Sequence, residues 1–98
     1  MITFENLRDF AKANEGKALR TLGGEAKFTV SVNEKGFEYI PLSSKKPRKQ
    51  TAAYIERILT RYNQTNSLTS TDYSEFNLNT SYTLGLINQM VAAQKTLN

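Results

Sequence analysis

The residue types that carry most protein chemistry are missing or scattered in this chain. It has no Cys and no His. That removes thiolate and imidazole nucleophiles or bases, Ser-His-Asp arrangements, disulfides, and the thiolate or imidazole ligands of zinc sites. Only carboxylate, Lys, Tyr and Ser/Thr chemistry is left, and Glu34 and Glu38 come nearest to a catalytic pair. Glu34 falls in a turn, however, and neither residue has the apolar surroundings that would raise a carboxyl pKa for acid catalysis. Gly23-Gly24 lacks the Lys-Ser/Thr sequel of a phosphate loop and follows no strong strand, so it reads as a turn. The chain is therefore expected to be no enzyme, with no catalytic residues, no cofactor and no metal.

The chemistry that is present is cationic. Lys45, Lys46, Arg48 and Lys49 are followed by Arg57 and Arg61, with Glu56 the one carboxylate among them. The rest of the chain holds seven basic and eight acidic side chains, so the whole excess of the +4 net charge lies in this segment. Helical spacing puts Gln50, Tyr54, Arg57, Arg61 and Gln64 on one side, away from a core face of Ile55, Leu59 and Tyr62. Arg binds phosphate or guanine bidentately, Gln reads adenine, and Tyr stacks or hydrogen-bonds to phosphate. The preceding Lys45-Lys46-Pro47-Arg48-Lys49 would clamp a phosphate backbone and add salt-dependent affinity that is independent of sequence. A basic cluster before a helix opposes the macrodipole by about a few tenths of a kcal/mol, which favours a functional reason for it.

The expected site is thus Lys45, Lys46, Arg48, Lys49, Tyr54, Arg57 and Arg61, and the expected partner is nucleic acid, DNA before RNA. Two other readings stand beside it. The same patch could meet an acidic protein, making the chain a protein-protein interaction module or a small inhibitor of phage or plasmid type, or it could serve solubility alone.

The elements that must position these residues follow from periodicity. Thr3 caps a helix over 4–14 in which Phe4, Leu7, Phe10 and Ala11 repeat at helical spacing, and Gly16 supplies a left-handed ending. Residues 17–22 form a brief strand or an extended connector. Phe28, Val30 and Val32 alternate with polar residues as a strand with one buried face. Asn33-Glu34-Lys35-Gly36 fits a type I turn with Gly in a left-handed bulge, and 37–42 returns antiparallel. Apolar residues on both parities and Pro41 make that second strand short, bulged or an edge.

Residues 43–50 read as a polar basic loop, and a second helix runs from about 50 to 63. Twelve of the nineteen residues from Asn63 to Ser81 are Asn, Ser or Thr, which favours turns, with one short helical turn over 72–75. A last helix, capped by Thr80 or Ser81, carries Leu84, Ile87 and Val91 in a stripe with Tyr82, Leu86, Met90 and Ala93 close by. Gly85 inside it points to close backbone packing. So broad an apolar surface is either buried or offered to a partner, a homodimer through this helix included.

A chain of 98 residues supports one hydrophobic core, hence a single domain over 1–98. The expected class is α+β: a helix, a β-hairpin that a third antiparallel strand can join, then two helices, packed on one face of the sheet. No stretch reaches the roughly 20 apolar residues of a membrane span, and Ile2-Thr3-Phe4-Glu5 is no signal-peptide start, so a cytoplasmic setting is expected and no membrane.

The run Thr21-Leu22-Gly23-Gly24, Phe28-x-Val30-x-Val32, Tyr39-x-Pro41-x-Ser43-Ser44-x-Lys46-x-Arg48 and Tyr62-Asn63-x-Thr65-x-Ser67 resembles small uncharacterised prokaryotic domains associated with restriction or mobile-element genes. The resemblance spans about half the chain. It implies an accessory DNA-binding or defence-related role and transfers no catalytic residue.

Overall fold

In the computed structural model the described residues are 1–23, 25–77 and 79–97, those of 95–97 by backbone alone. The order is α1 (Phe4–Ala13), β1 (Leu19–Arg20), β2 (Lys27–Asn33), β3 (Gly36–Pro41), β4 (Arg48–Thr51), α2 (Ala52–Thr65), a 3₁₀ turn (Ser70–Tyr73) and α3 (Thr80–Leu97). The four strands form one antiparallel sheet in the order β1-β2-β3-β4. The class is the α+β arrangement expected, with four strands where two or three were anticipated.

Strand parity fixes which side of the sheet is buried. Leu19, Phe28, Val30, Phe37, Tyr39 and Gln50 share one face through the pairs Leu19 with Phe28, Val30 with Tyr39 and Phe37 with Gln50, and all six are buried. The helices cover this face. Phe4 of α1 stacks on Phe37, Tyr82 of α3 packs on Phe28 and Tyr39, and Ile55, Ile58 and Leu59 of α2 complete the core. The opposite parity carries Arg20, Lys27, Thr29, Ser31, Glu38, Ile40 and Lys49, each half-exposed or exposed. The sheet thus has one apolar and one open face, the usual consequence of packing helices on a single side of an antiparallel sheet.

Two helix starts follow their caps. Thr3 and Asn6 form a reciprocal capping box at α1, and Thr51 Oγ1 accepts from Tyr54 N at 3.3 Å to open α2. The second cap corrects the expected start near 50: Arg48 to Thr51 are strand, and α2 begins at Ala52. Residue 50 is therefore not on an exposed helical stripe. The Gln50 side-chain Oε1 accepts from the Thr83 hydroxyl, the Tyr39 hydroxyl lies 2.6 Å from the same Thr83 oxygen, and Gln50 is 4% exposed.

β3 is a regular central strand rather than the short, bulged or edge strand expected. Phe37, Tyr39 and Pro41 point into the core and Ile40 points to the open face, which explains apolar residues on both parities. Pro41 disturbs nothing, because the ladder with β4 ends at Tyr39 and Arg48. Gly36 has φ +153°, not the left-handed bulge expected. It is needed because β4 passes so closely that a Cβ would collide with the Gln50 carbonyl and lie 2.8 Å from Ala52 N.

Gly85 fulfils the close-packing expectation: a Cβ there would strike the Arg20 carbonyl and lie 2.9 Å from Thr21 Cα. Gly23 has φ +101°, as a turn requires, while Gly24 lies outside the described residues. The short helical turn forms two residues earlier than expected, at Ser70–Tyr73, and Thr80 and Ser81 lie inside the first turn of α3 instead of preceding it.

Candidate nucleic-acid interface

The seven residues expected as one surface divide between the two sides of the sheet. Lys49 pairs with Glu38 and so projects from the open face, whereas α2 packs on the other side. Arg48, opposite Tyr39, has the parity of the helical face but sits at the rim of the edge strand, exposed. Lys45 and Lys46 lie exposed in the β3–β4 loop. Lys45 holds a left-handed φ of +58° and donates its N–H to the Pro41 carbonyl at 2.9 Å, which turns the chain sharply at the end of β3.

That loop leaves the sheet at a basic end. Leu42 N donates to the Lys27 carbonyl at 3.0 Å, which extends the β2–β3 ladder one pair further, and Lys27 in turn pairs with Arg20. Arg20 and Lys27 are exposed on the open face, so the loop bearing Lys45 and Lys46 springs from the strand end they occupy. Lys49 stands on the same face across β3. The carboxylates nearby are Glu25, exposed in the β1–β2 turn, and Glu38 on the open face. Sequence spacing alone missed Arg20 and Lys27, because they are 25 and 18 positions before Lys45 and only the register unites them. The detectable signal was parity, since Lys27 belongs to the polar set that alternates with Phe28, Val30 and Val32.

Tyr54, Arg57 and Arg61 form a separate cluster around a residue not singled out in the sequence, Phe76. The Arg57 guanidinium lies 5.4 Å from both the Tyr54 and Phe76 ring centres, and that of Arg61 lies 5.6 Å from Phe76. Arg61 is committed to the fold: its Nη1 donates to the Asp72 carbonyl at 2.7 Å and its Nη2 pairs with Glu75. The Tyr54 hydroxyl is likewise used, accepting from Asn77 N at 2.6 Å. Arg57, Thr60, Arg61, Gln64, Glu75 and Phe76 line a shallow hollow of about 250 Å³. The arrangement clips the 70–77 segment onto α2 by cation–π and charged contacts, with Arg57 the more exposed of its two cations.

The last helix buries most of the apolar residues whose side chains are described. Leu84, Leu86, Ile87 and Met90 are buried and Tyr82 and Val91 half-buried, while Ala92 and Ala93 are the exposed apolar residues among those described up to 94. Among the described residues no helix is long and apolar enough to cross a membrane, and no three His, Cys, Asp or Glu side chains are grouped to hold a metal ion. No family model matches the chain, and no curated protein and no solved structure matches it.

Proposed function

We propose that this chain is a small nonenzymatic nucleic-acid-binding domain of the cytoplasm, with the β3–β4 loop and the basic end of the open sheet face as its contact surface. The observation that carries this reading is the meeting of Arg20 and Lys27, on the solvent-facing side, with the loop cations Lys45 and Lys46 at the same strand end, while Lys49 lies farther along that side beside Glu38. Arg48 extends the patch around the edge strand. Cations spread over a sheet face and an adjoining loop can each take a different phosphate, and releasing the condensed counterions drives binding. Tyr54, Arg57 and Arg61 belong to the other layer, where they hold the 70–77 segment, and they stand outside this contact surface.

The test is fluorescence anisotropy of a labelled random-sequence oligonucleotide at about 50 mM salt, with wild type and a Lys45→Ala, Lys46→Ala, Lys49→Ala variant. Micromolar binding by wild type with at least about a tenfold loss in the variant supports the reading. Wild type and variant binding alike, or neither binding, rejects this surface.

A further inference from the structure

We infer that the nucleic acid is B-form duplex DNA, entered through its major groove by the open face of the β2–β3 ribbon. This inference rests on the nucleic-acid reading above and narrows it to one partner. Two neighbouring strands at a spacing of about 4.8 Å make a ribbon roughly 10 Å across, and the major groove of B-DNA, about 12 Å wide, admits such a two-stranded ribbon. The groove of an A-form RNA duplex is too narrow and deep for such a face.

The composition of the face argues against single strands. Sheets that bind unpaired bases present aromatic rings for stacking. Here the outward positions are Lys27, Thr29, Ser31 and Asn33 on β2, Glu38 and Ile40 on β3, and Lys49 and Thr51 on β4, with no ring among them. The Phe and Tyr side chains of the strands all point into the helical layer. What remains is suited to base edges in a groove: the Thr29 and Ser31 hydroxyls, which donate or accept, the Glu38 carboxylate, which can only accept, as from a cytosine amino group, the Ile40 side chain for a thymine methyl, and cations toward the flanks for phosphates. Thr29 pairs with Ile40, and Ser31 with Glu38, so hydroxyls and aliphatic sit within one small central area.

The experiment is a competition series with wild type bound to labelled duplex DNA, challenged by unlabelled duplex DNA, single-stranded DNA and duplex RNA of the same sequence. Methyl green and netropsin serve as major-groove and minor-groove blockers. A Thr29→Glu, Ser31→Glu variant is run beside Arg57→Glu, which changes charge on the other layer, with thermal unfolding recorded for each. The inference expects duplex DNA to compete at least about tenfold better than either alternative, methyl green but not netropsin to displace the protein, and the face variant to lose binding while melting like wild type. Should the face variant melt lower, the methyl green arm with wild type decides alone. Better competition by single strands or RNA, or displacement by netropsin, overturns the duplex inference and leaves the broader reading standing. Absence of binding to any of the three overturns both.

Discussion

Tyr39 shows how one buried side chain ties chemistry to stability. Burial, partly offset by the hydrogen bond with Thr83, holds its phenol well above the usual tyrosine range, and burial raises Tyr73 in the same direction. Above a pH of about 10 the unfolded chain releases phenolic protons that the folded chain keeps, so the stability present at lower pH is lost as pH rises. Urea midpoints measured near pH 8 and near pH 10.5 are expected to fall for wild type and to fall less for Tyr39→Phe. At neutral pH that variant is expected to cost about 1 kcal/mol, because the Thr83 hydroxyl still donates to Gln50. At Gly85 the constraint is space. Adding a methyl against the Arg20 carbonyl and Thr21 Cα forces β1 away from α3, and Gly85→Ala is expected to cost about 1–3 kcal/mol by chemical denaturation.

At the scale of the element, α2 and the 70–77 segment act as a pair, and the two arginines that look equivalent by helical spacing have different work. Arg61 is half-buried, bonds a backbone carbonyl and pairs with Glu75, whereas Arg57 rests on rings from an exposed position. Arg61→Ala is expected to lower stability by about 1 kcal/mol and Arg57→Ala by less than half of that, both read from denaturation midpoints.

The elements legible in the sequence were those with one dry and one wet face. Phe28, Val30 and Val32 announced β2 by alternation, and Thr3 with the Phe4, Leu7, Ala11 spacing announced α1. β4 was hidden because an edge strand has little apolar surface to show. Its inward positions are Arg48, exposed at the rim, and Gln50, which enters the core through hydrogen bonds to Thr83 rather than through a hydrophobic side chain. Misreading those four residues as loop and helix start is what placed Gln50 on the exposed stripe. The cation cluster was legible as composition, but its partition between two layers depended on register, which no local spacing contains.

For the whole molecule, the separation of a helical layer from an open sheet face decides where charge can act. The helices bury one face of the sheet, and the uncovered face holds Arg20 and Lys27 at the strand end from which the loop carrying Lys45 and Lys46 springs, with Lys49 farther along beside Glu38. On the proposed reading, the logarithm of the affinity for duplex DNA is expected to fall linearly with the logarithm of salt, with a slope of about 0.9 for each phosphate neutralised.

The most direct test of the central claim is that slope, measured on duplex DNA for wild type, for Arg20→Ala, Lys27→Ala and for Arg57→Ala. Arg20 and Lys27 join the patch only through the fold, so their double variant is expected to lose about one to two units of slope while Arg57→Ala keeps the wild-type value. The reverse pattern, a slope unchanged without Arg20 and Lys27 and reduced without Arg57, would place the contact on α2 and contradict the account.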